Sequence, residues 1–202
     1  MKELKYIMLA LILFPLMGTV SSCSEDSEDT DEYANWQERN DKATDQWAAS
    51  SGYLKIVTFS KLSSAAANNS DYIYVQVLET GSGTDSPLYA DTARVAYRGW
   101  LIPTETYSDG YVFDQSYLGD FSWATAGMVD FSINSNLRDG FSTALLNMHK
   151  GDRWRVSMPY QLGYGSSSSG SVPAYSNLIF DIALLDFWHP GEQRPPFAAR
   201  KK

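Results

Sequence analysis

A chain of 202 residues has room for one folded domain with appendages, and its apolar content of 44% with 14% aromatic residues is typical of a globular protein. The formal net charge is −8, and lysines and arginines cluster only in the last three residues. Because neutralising phosphates takes a basic stripe, this pattern argues against a nucleic-acid partner.

The first 22 residues have the pattern of a signal peptide. Lys2 and Lys5 precede an apolar run over residues 6–18. This run is shorter than the ~20 residues that a spanning helix needs. Small residues then lead to Cys23, the only cysteine, in an arrangement that resembles a lipobox. We expect acylation of Cys23 and a membrane anchor. An ordinary secretory signal followed by a stray cysteine is the alternative.

Residues 23–32 predict an extended acidic tether. Residues 24–32 contain six carboxylates and no apolar side chain, so they cannot bury surface. Such a stretch resembles the tag that exports some Gram-negative lipoproteins to the outer face of the outer membrane, and surface display is the favoured interpretation. The alternative is a solvated spacer that is repelled by an anionic surface. Either interpretation predicts a lipid-anchored protein of the cell envelope.

Residues 33–70 predict a helical extension and a linker. One helical face carries Tyr33, Trp36, Ala43 and Trp47. We expect its tryptophans to dock on the main domain, because so thin a stripe is marginal alone, and capture of a polypeptide or glycan is the alternative. Residues 53–59 favour a strand, and residues 60–70 a loop.

The remaining elements are mostly strands. Alternating apolar and polar residues predict strands at residues 72–78, 92–101, 152–158 and 178–184. One helix is indicated by apolar residues spaced i, i+3, i+4 and i+7, namely Phe141, Ala144, Leu145 and Met148. Strands joined by hairpins around a single helix predict an α+β fold with an antiparallel sheet.

Seven short motifs occur in a fixed order along this region. They are Tyr97-x-Gly99, Phe113-Asp114, Gly140-Phe141, Met148-x-x-Gly151-Asp152, Tyr164-Gly165, Val172-Pro173 and Leu178-x-Phe180-Asp181. In this order they resemble the FKBP family of peptidyl-prolyl cis-trans isomerases.

The resemblance covers residues 71–188 and leaves residues 189–202 as a tail. It implies the FKBP half-barrel, a twisted antiparallel sheet wrapped around one short helix. Two segments depart from the family pattern. Residues 102–111 lengthen a hairpin, and residues 117–128 form a long aromatic segment, here called the flap.

The resemblance also implies an isomerase acting on X–Pro bonds of exported or surface proteins. The reaction needs no nucleophile, because the obstacle is rotation about a partial double bond with a barrier of about 18–20 kcal/mol. An apolar site favours the twisted amide, which has less charge separation than the planar one. We expect no cofactor or metal, proline-containing polypeptides as partners, and a monomer. His149 and His189 have no recognisable triad context.

Eleven pocket residues carry over from the family. The candidate catalytic residues are Tyr97, Phe113, Asp114, Phe141, Tyr164 and Phe180, and the candidate substrate-binding residues are Val129, Phe131, Leu137, Arg138 and Val172. Phe141 would form the floor, where the family usually has tryptophan. Tyr164 would donate its hydroxyl to a substrate carbonyl. Asp114 would either bias the twisted carbonyl or hold the Tyr97 hydroxyl.

Arg138 stands where isoleucine is common in the family. Its backbone N–H would still serve the substrate, and its guanidinium at the rim favours anionic substrates. Two other functions stay open. One is a polypeptide-binding or chaperone module that uses the flap and the helix tryptophans, with little or no isomerase activity. The other is a purely structural lipoprotein, whose pocket would be filled by its own side chains.

Overall fold

The computed structural model describes residues 31–61 and 63–196. The predicted signal peptide, the candidate lipidation site Cys23 and the tether up to residue 30 lie outside the described residues, as does the tail from residue 197. Within the described ranges, no helix has the length and apolarity needed to cross a membrane.

The described chain contains two helices and seven strands. The helices are α1 (Trp36–Ala49) and α2 (Asp139–Asn147). The strands are β1 (Leu54–Val57), β2 (Tyr72–Glu79), β3 (Thr92–Trp100), β4 (Val112–Gln115), β5 (Val129–Ser132), β6 (Arg153–Met158) and β7 (Leu178–Trp188). The predicted loop at residues 60–70 includes short 3-10 turns at Ser63–Ala65 and Asn69–Asp71.

All seven strands belong to one antiparallel sheet. Its order is β1-β2-β6-β7-β3-β4, and β5 pairs with β3 beside β4. The antiparallel α+β fold expected from the sequence is therefore confirmed.

The inner face of the sheet packs against α2. Strand β7 places Phe180, Ile182 and Leu184 on this face and Asp181 and Ala183 on the other, because neighbouring strand residues point to opposite sides. The predicted apolar face of α2 is buried, with Phe141 5% exposed and the other three residues fully enclosed. The cavity described below lies at the start of α2.

The flap folds back over the outer face of the sheet. Tyr117 and Ala126 are buried there against Ala96 and Ala183, which are paired across β3 and β7. Phe121, Trp123 and Leu185 complete this second cluster. The flap aromatics therefore pack within the chain.

Polar and cationic groups hold the flap in place. The Trp123 Nε1–H donates to Glu79 Oε2 at 2.8 Å. The Arg153 guanidinium lies 4.5 Å from the centroid of the Phe121 ring, within the range of a cation–π contact.

Along the edge of β3 that faces away from β7, strand pairing is interrupted at Tyr97. Residues 92–95 pair with β5 and residues 98–100 with β4. At the break, Tyr97 N–H donates to Ser116 Oγ and Ser116 N–H donates to Tyr97 O, both at 2.9 Å. Ser116 Oγ also donates to Gly127 O at 2.8 Å. Ser116 thus fixes the Tyr97 backbone and joins the two ends of the flap.

Helix α1 packs against the main domain, as expected for its tryptophans. Trp36 is 6% exposed and its Nε1–H donates to Ser176 Oγ at 2.8 Å. Trp47 lies against Tyr74 with ring centroids 6.1 Å apart. The helix begins at Trp36, so Tyr33 lies in the preceding turn rather than on the helical face.

The described part of the tail returns along the sheet. His189 Nδ1 lies 2.7 Å from Oδ1 of buried Asp91. Arg94 in β3 pairs with Asp130 in β5 and also donates to Pro195 O at 2.9 Å. These contacts attach residues 189–196 to the beginning of β3 and to β5.

Candidate active site

A cavity of about 110 Å³ lies at the start of α2 on the inner face of the sheet. Its lining comprises Tyr97, Asp114, Phe131, Leu137, Arg138, Phe141, Tyr164, Leu178 and Phe180. A cavity holds one water at roughly 10–15 Å³ on the same measure, so this one is large enough for a small ring. A pocket filled by its own side chains, expected of a purely structural lipoprotein, is not what the structure contains.

Two wider depressions lie elsewhere on the described surface. One, of about 290 Å³, is at the flap, and the other, of about 440 Å³, lies beside α1. The first has Tyr117 as its single aromatic lining residue and the second has none. The smaller cavity is the better candidate, because binding sites for apolar groups combine aromatic walls with a few polar groups.

Aromatic rings in mutual contact form the walls and floor of the cavity. The Phe141 ring centroid lies 5.1 Å from that of Phe180 and 5.7 Å from that of Phe131, both nearly perpendicular. Tyr97 closes the group, 5.6 Å from Phe131 and 6.2 Å from Phe180. The two Phe141 pairs are edge-to-face, a geometry that stabilises aromatic pairs, so these rings hold one another in place.

Tyr97 and Asp114 form the polar part of this wall. The Tyr97 hydroxyl donates to Asp114 Oδ2 at 2.8 Å. Burial and this bond raise the pKa of the Tyr97 hydroxyl, so it remains a protonated donor at neutral pH. The geometry matches the structural role considered for Asp114, in which the carboxylate holds the tyrosine.

The mouth of the cavity lies between α2 and the segment that joins β6 to β7. Tyr164 is half-buried there, and the Arg138 guanidinium lies over its ring at 5.1 Å from the centroid. The Leu137 N–H donates to Asn134 O at 3.0 Å. The backbone N–H of Arg138, by contrast, has no acceptor among residues 31–61 and 63–196. This donor is therefore available at the mouth.

Gly99 leaves room for two of the rings. A Cβ at this position would lie 2.5 Å from Phe180 Cε1 and 2.8 Å from Phe113 Cζ, closer than side chains tolerate. The Tyr-x-Gly motif therefore needs glycine at this position because two aromatic rings approach the β3 backbone closely.

Three of the predicted site residues do not line the cavity. Phe113 packs behind Phe180, with ring centroids 5.5 Å apart. Val129 pairs with Val95 and packs against the core two residues from Phe131. Val172 is buried in the core at the end of a tight turn, where its N–H donates to Ser169 O at 2.9 Å. Phe113 thus contacts a wall residue without lining the cavity itself, whereas Val129 and Val172 belong to the surrounding core.

One lining residue was missed as a site residue. Leu178 is the first residue of β7 and is 1% exposed. Its sequence signal was the alternation that places it on the same face as Phe180.

Within the described parts of the chain, no group of three or more His, Cys, Asp or Glu side chains is arranged to hold a metal ion.

Comparisons with known proteins point to one family. The family model of the FKBP-type peptidyl-prolyl cis-trans isomerases matches residues 83–185, slightly more than half of the chain. The macrophage infectivity potentiator of Trypanosoma cruzi is 35% identical over 120 residues, which cover 59% of this chain and 55% of that protein. The isomerase FkpA of Escherichia coli K12 is 33% identical over 129 residues, covering 63% of this chain and 42% of FkpA.

Solved structures agree with the sequence comparisons. The crystal structure of FkpA from Escherichia coli aligns with a TM-score of 0.55 and 27% identity, over 76% of this chain and 60% of that one. An isomerase from Pseudomonas syringae aligns with a TM-score of 0.56 over 77% of this chain and 95% of that one, and at 21% identity it supports the fold alone.

The chain spans about half of the length of the two relatives matched by sequence. The family match includes all nine residues that line the cavity, from Tyr97 to Phe180. The chain therefore belongs to the family of FKBP-type peptidyl-prolyl cis-trans isomerases.

Proposed function

We propose that this protein catalyses cis-trans isomerisation of X–Pro bonds in exported or surface polypeptides. The observation that carries the proposal is the open cavity of about 110 Å³, walled by Tyr97, Phe131, Phe141 and Phe180 with Tyr164 at its mouth. Residues 71–188 would form the isomerase domain, with residues 33–70 as an extension and residues 189–202 as a tail.

The proposed mechanism uses binding rather than covalent chemistry. The prolyl ring sits in the aromatic cavity, where exclusion of water favours the twisted amide over the more polar planar one. The Tyr164 hydroxyl and the Arg138 backbone N–H donate to substrate carbonyls at the mouth. Asp114 holds Tyr97 in place, because the Tyr97 hydroxyl is already committed to it.

The proposed location is the outer membrane of the cell envelope, with a lipid on Cys23 and display on the cell surface. Lys2, Lys5, the apolar run and the acidic tether support this location. Mass spectrometry of the membrane fraction should find acyl chains on Cys23, and protease treatment of intact cells should remove the domain. A protected domain would place it on the inner leaflet and would overturn the surface interpretation.

Exchange NMR on Leu-Pro and Phe-Pro peptides tests the activity. Uncatalysed isomerisation takes tens to hundreds of seconds, and micromolar protein should make the exchange much faster. Tyr164→Phe should lower kcat/KM by about 2- to 10-fold, since one hydrogen bond contributes about 0.5–1.5 kcal/mol. Leu118→Ala is a matched control because its side chain is 83% exposed on the flap. Absence of any acceleration by the wild-type protein would rule the proposal out.

The alternative function is a polypeptide-binding module. Isomerisation of the same peptides, measured beside capture of an unfolded polypeptide, separates the two functions. Phe113→Ala should weaken isomerisation because Phe113 supports Phe180. If the activity disappears while capture of an unfolded polypeptide is unchanged, binding uses another surface. The flap aromatics and Trp36 pack within the chain, which weighs against their use as that surface.

A further inference from the structure

We propose that α1 positions the Tyr164 side of the active site, through a buried pair of asparagines, Asn40 and Asn177. The proposal rests on the proposed isomerase function, in which Tyr164 contacts the substrate. Helix α1 ends at Ala49, whereas the family match begins at residue 83, so the positioning element lies outside the matched region.

Asn177, the residue before β7, donates hydrogen bonds to two residues of α1, Asn40 and Thr44. Asn177 N–H donates to Asn40 Oδ1 at 2.8 Å, and Asn177 Nδ2 donates to Asn40 O at 2.7 Å and to Thr44 Oγ1 at 3.0 Å. Both asparagines are 0% exposed. A buried polar group that loses its partner is costly, so this contact specifies one position of Asn177 relative to the helix.

From Asn177 the hydrogen bonds continue to the residues on either side of Tyr164. Tyr160 N–H donates to Asn177 Oδ1 at 2.8 Å. Tyr160 O then accepts the N–H groups of Gly163 at 2.9 Å and Gly165 at 2.8 Å. Because these two glycines flank Tyr164, its backbone is fixed from both sides to a group that α1 holds.

The same asparagine also fixes a wall of the cavity. Asn177 directly precedes Leu178, which lines the cavity from the first position of β7. Trp36 adds a second tie, since Ser176 Oγ accepts its Nε1–H and donates to Pro173 O at 2.7 Å. The segment between β6 and β7, which contains Tyr164, is therefore attached to α1 at residues 176 and 177, directly before the lining residue Leu178.

A double-mutant cycle with Tyr164 tests the proposal in the full chain. Asn40→Ala should lower kcat/KM for a Leu-Pro peptide at least about threefold when residue 164 is tyrosine. In Tyr164→Phe protein the same change should have clearly less effect, because two residues that act through one contact are not additive. Equal losses in the two backgrounds, or a loss of thermal stability with unchanged kcat/KM, would show that α1 is only structural.

Two further variants keep the test decisive. Thr44→Val preserves shape and removes one acceptor, so it should fold even if Asn40→Ala does not, and it should show a smaller loss with the same dependence on Tyr164. Trp47→Leu is the control, because Trp47 attaches α1 to Tyr74, a different contact that lies two turns along the helix from Asn40. It should lower stability without changing kcat/KM, and an activity loss as large as that of Thr44→Val would contradict the proposal.

Hydrogen exchange gives a readout that does not depend on catalysis. In Asn40→Ala and Thr44→Val, the amides of Tyr160, Gly163 and Gly165 should exchange faster, while amides of β3 keep their wild-type rates. If the wild-type protein accelerates no peptide, the proposed function fails and this experiment still decides the positioning. Unchanged exchange at these three amides would overturn it.

Discussion

The aromatic walls of the cavity stand over a residue with no side chain. Gly99→Ala would place a methyl group against the rings of Phe180 and Phe113, which hold the three nearest atoms and would have to move. We expect a loss of about 1–3 kcal/mol in the free energy of unfolding, as for overpacked cores, together with lower kcat/KM. Denaturant titration and exchange NMR measure the two effects.

Gly52→Ala is the control for this substitution. The nearest atom to its added Cβ would be Ser50 Oγ at 3.4 Å, an ordinary contact. It should leave both quantities near wild type. Wild-type activity in Gly99→Ala protein would mean that the position of Phe180 does not matter for catalysis.

Arg138 is a second residue whose effect should be measurable, in the choice of substrate. Its guanidinium stacks on Tyr164 at the mouth, so it should attract a glutamate next to the proline. We expect the kcat/KM ratio of Glu-Pro to Gln-Pro peptides to fall by about 2- to 5-fold in Arg138→Leu, since exposed ion pairs contribute about 0.2–1 kcal/mol.

Salt should reproduce part of the Arg138 effect, because it screens charges at the exposed mouth. Activity on a Leu-Pro peptide is the control and should change little with salt. A Glu-Pro to Gln-Pro ratio that is equal in the wild type and in Arg138→Leu would show that the guanidinium does not select substrates.

At the scale of elements, the flap is a covering of the outer sheet face. Phe121 contacts Tyr117 and Trp123 edge-on at 5.5 and 5.0 Å and lies under Arg153. Phe121→Ala should therefore lower the free energy of unfolding by about 1–3 kcal/mol, less than a fully buried phenylalanine, while kcat/KM stays unchanged. Thermal melts and exchange NMR check both.

Leu118→Ala again serves as the matched control, because it shortens an exposed side chain of the same segment. Its stability should equal that of the wild type. If Phe121→Ala were as stable as the wild type but no longer captured polypeptides, the flap would be a binding surface after all.

Local periodicity was sufficient to predict β2, β3, β6, β7 and α2, because each repeats apolar residues with the period of a strand or a helix along its own length. Strands β4 and β5 have four residues each, too few for a pattern, and were visible only as the Phe113-Asp114 motif and its surroundings. Five of the lining residues, Tyr97, Asp114, Phe141, Tyr164 and Phe180, could be proposed from the sequence because they belong to the family motifs.

Contacts between distant residues could not be predicted in the same way. Docking of the flap depends on Ala96 and Ala183, whose small size matters only once β3 and β7 are paired. The Asn40–Asn177 contact joins residues 137 positions apart. Alanine and asparagine have no local preference that reveals such partners, whereas an apolar helix face does.

For the molecule as a whole, the contact between His189 in the tail and Asp91 should make the free energy of unfolding depend on pH. The hydrogen bond to Asp91, aided by its charge, raises the pKa of His189 above its usual value near 6.5. The contact therefore stabilises the fold fully below about pH 6.5 and is lost as the pH rises through the higher folded-state pKa.

Melting temperatures across this range test the effect of His189. The difference in Tm between the wild type and His189→Gln should shrink as the pH rises from 6 towards 9, because glutamine does not titrate. A difference that is constant or grows with pH would show that the histidine does not bind Asp91 in its charged form.

If Cys23 carries the proposed lipid, the docking of Glu32 would limit how far the folded domain can lie from the membrane. Glu32 is hydrogen-bonded to Thr106, and Arg39 joins Glu32 O to Pro103 O, so the folded part begins beside the hairpin after β3. Cys23 precedes Glu32 by nine positions, so a fully extended chain between them would span about 30 Å. The active site would then reach only polypeptides that pass within a thin layer next to the membrane.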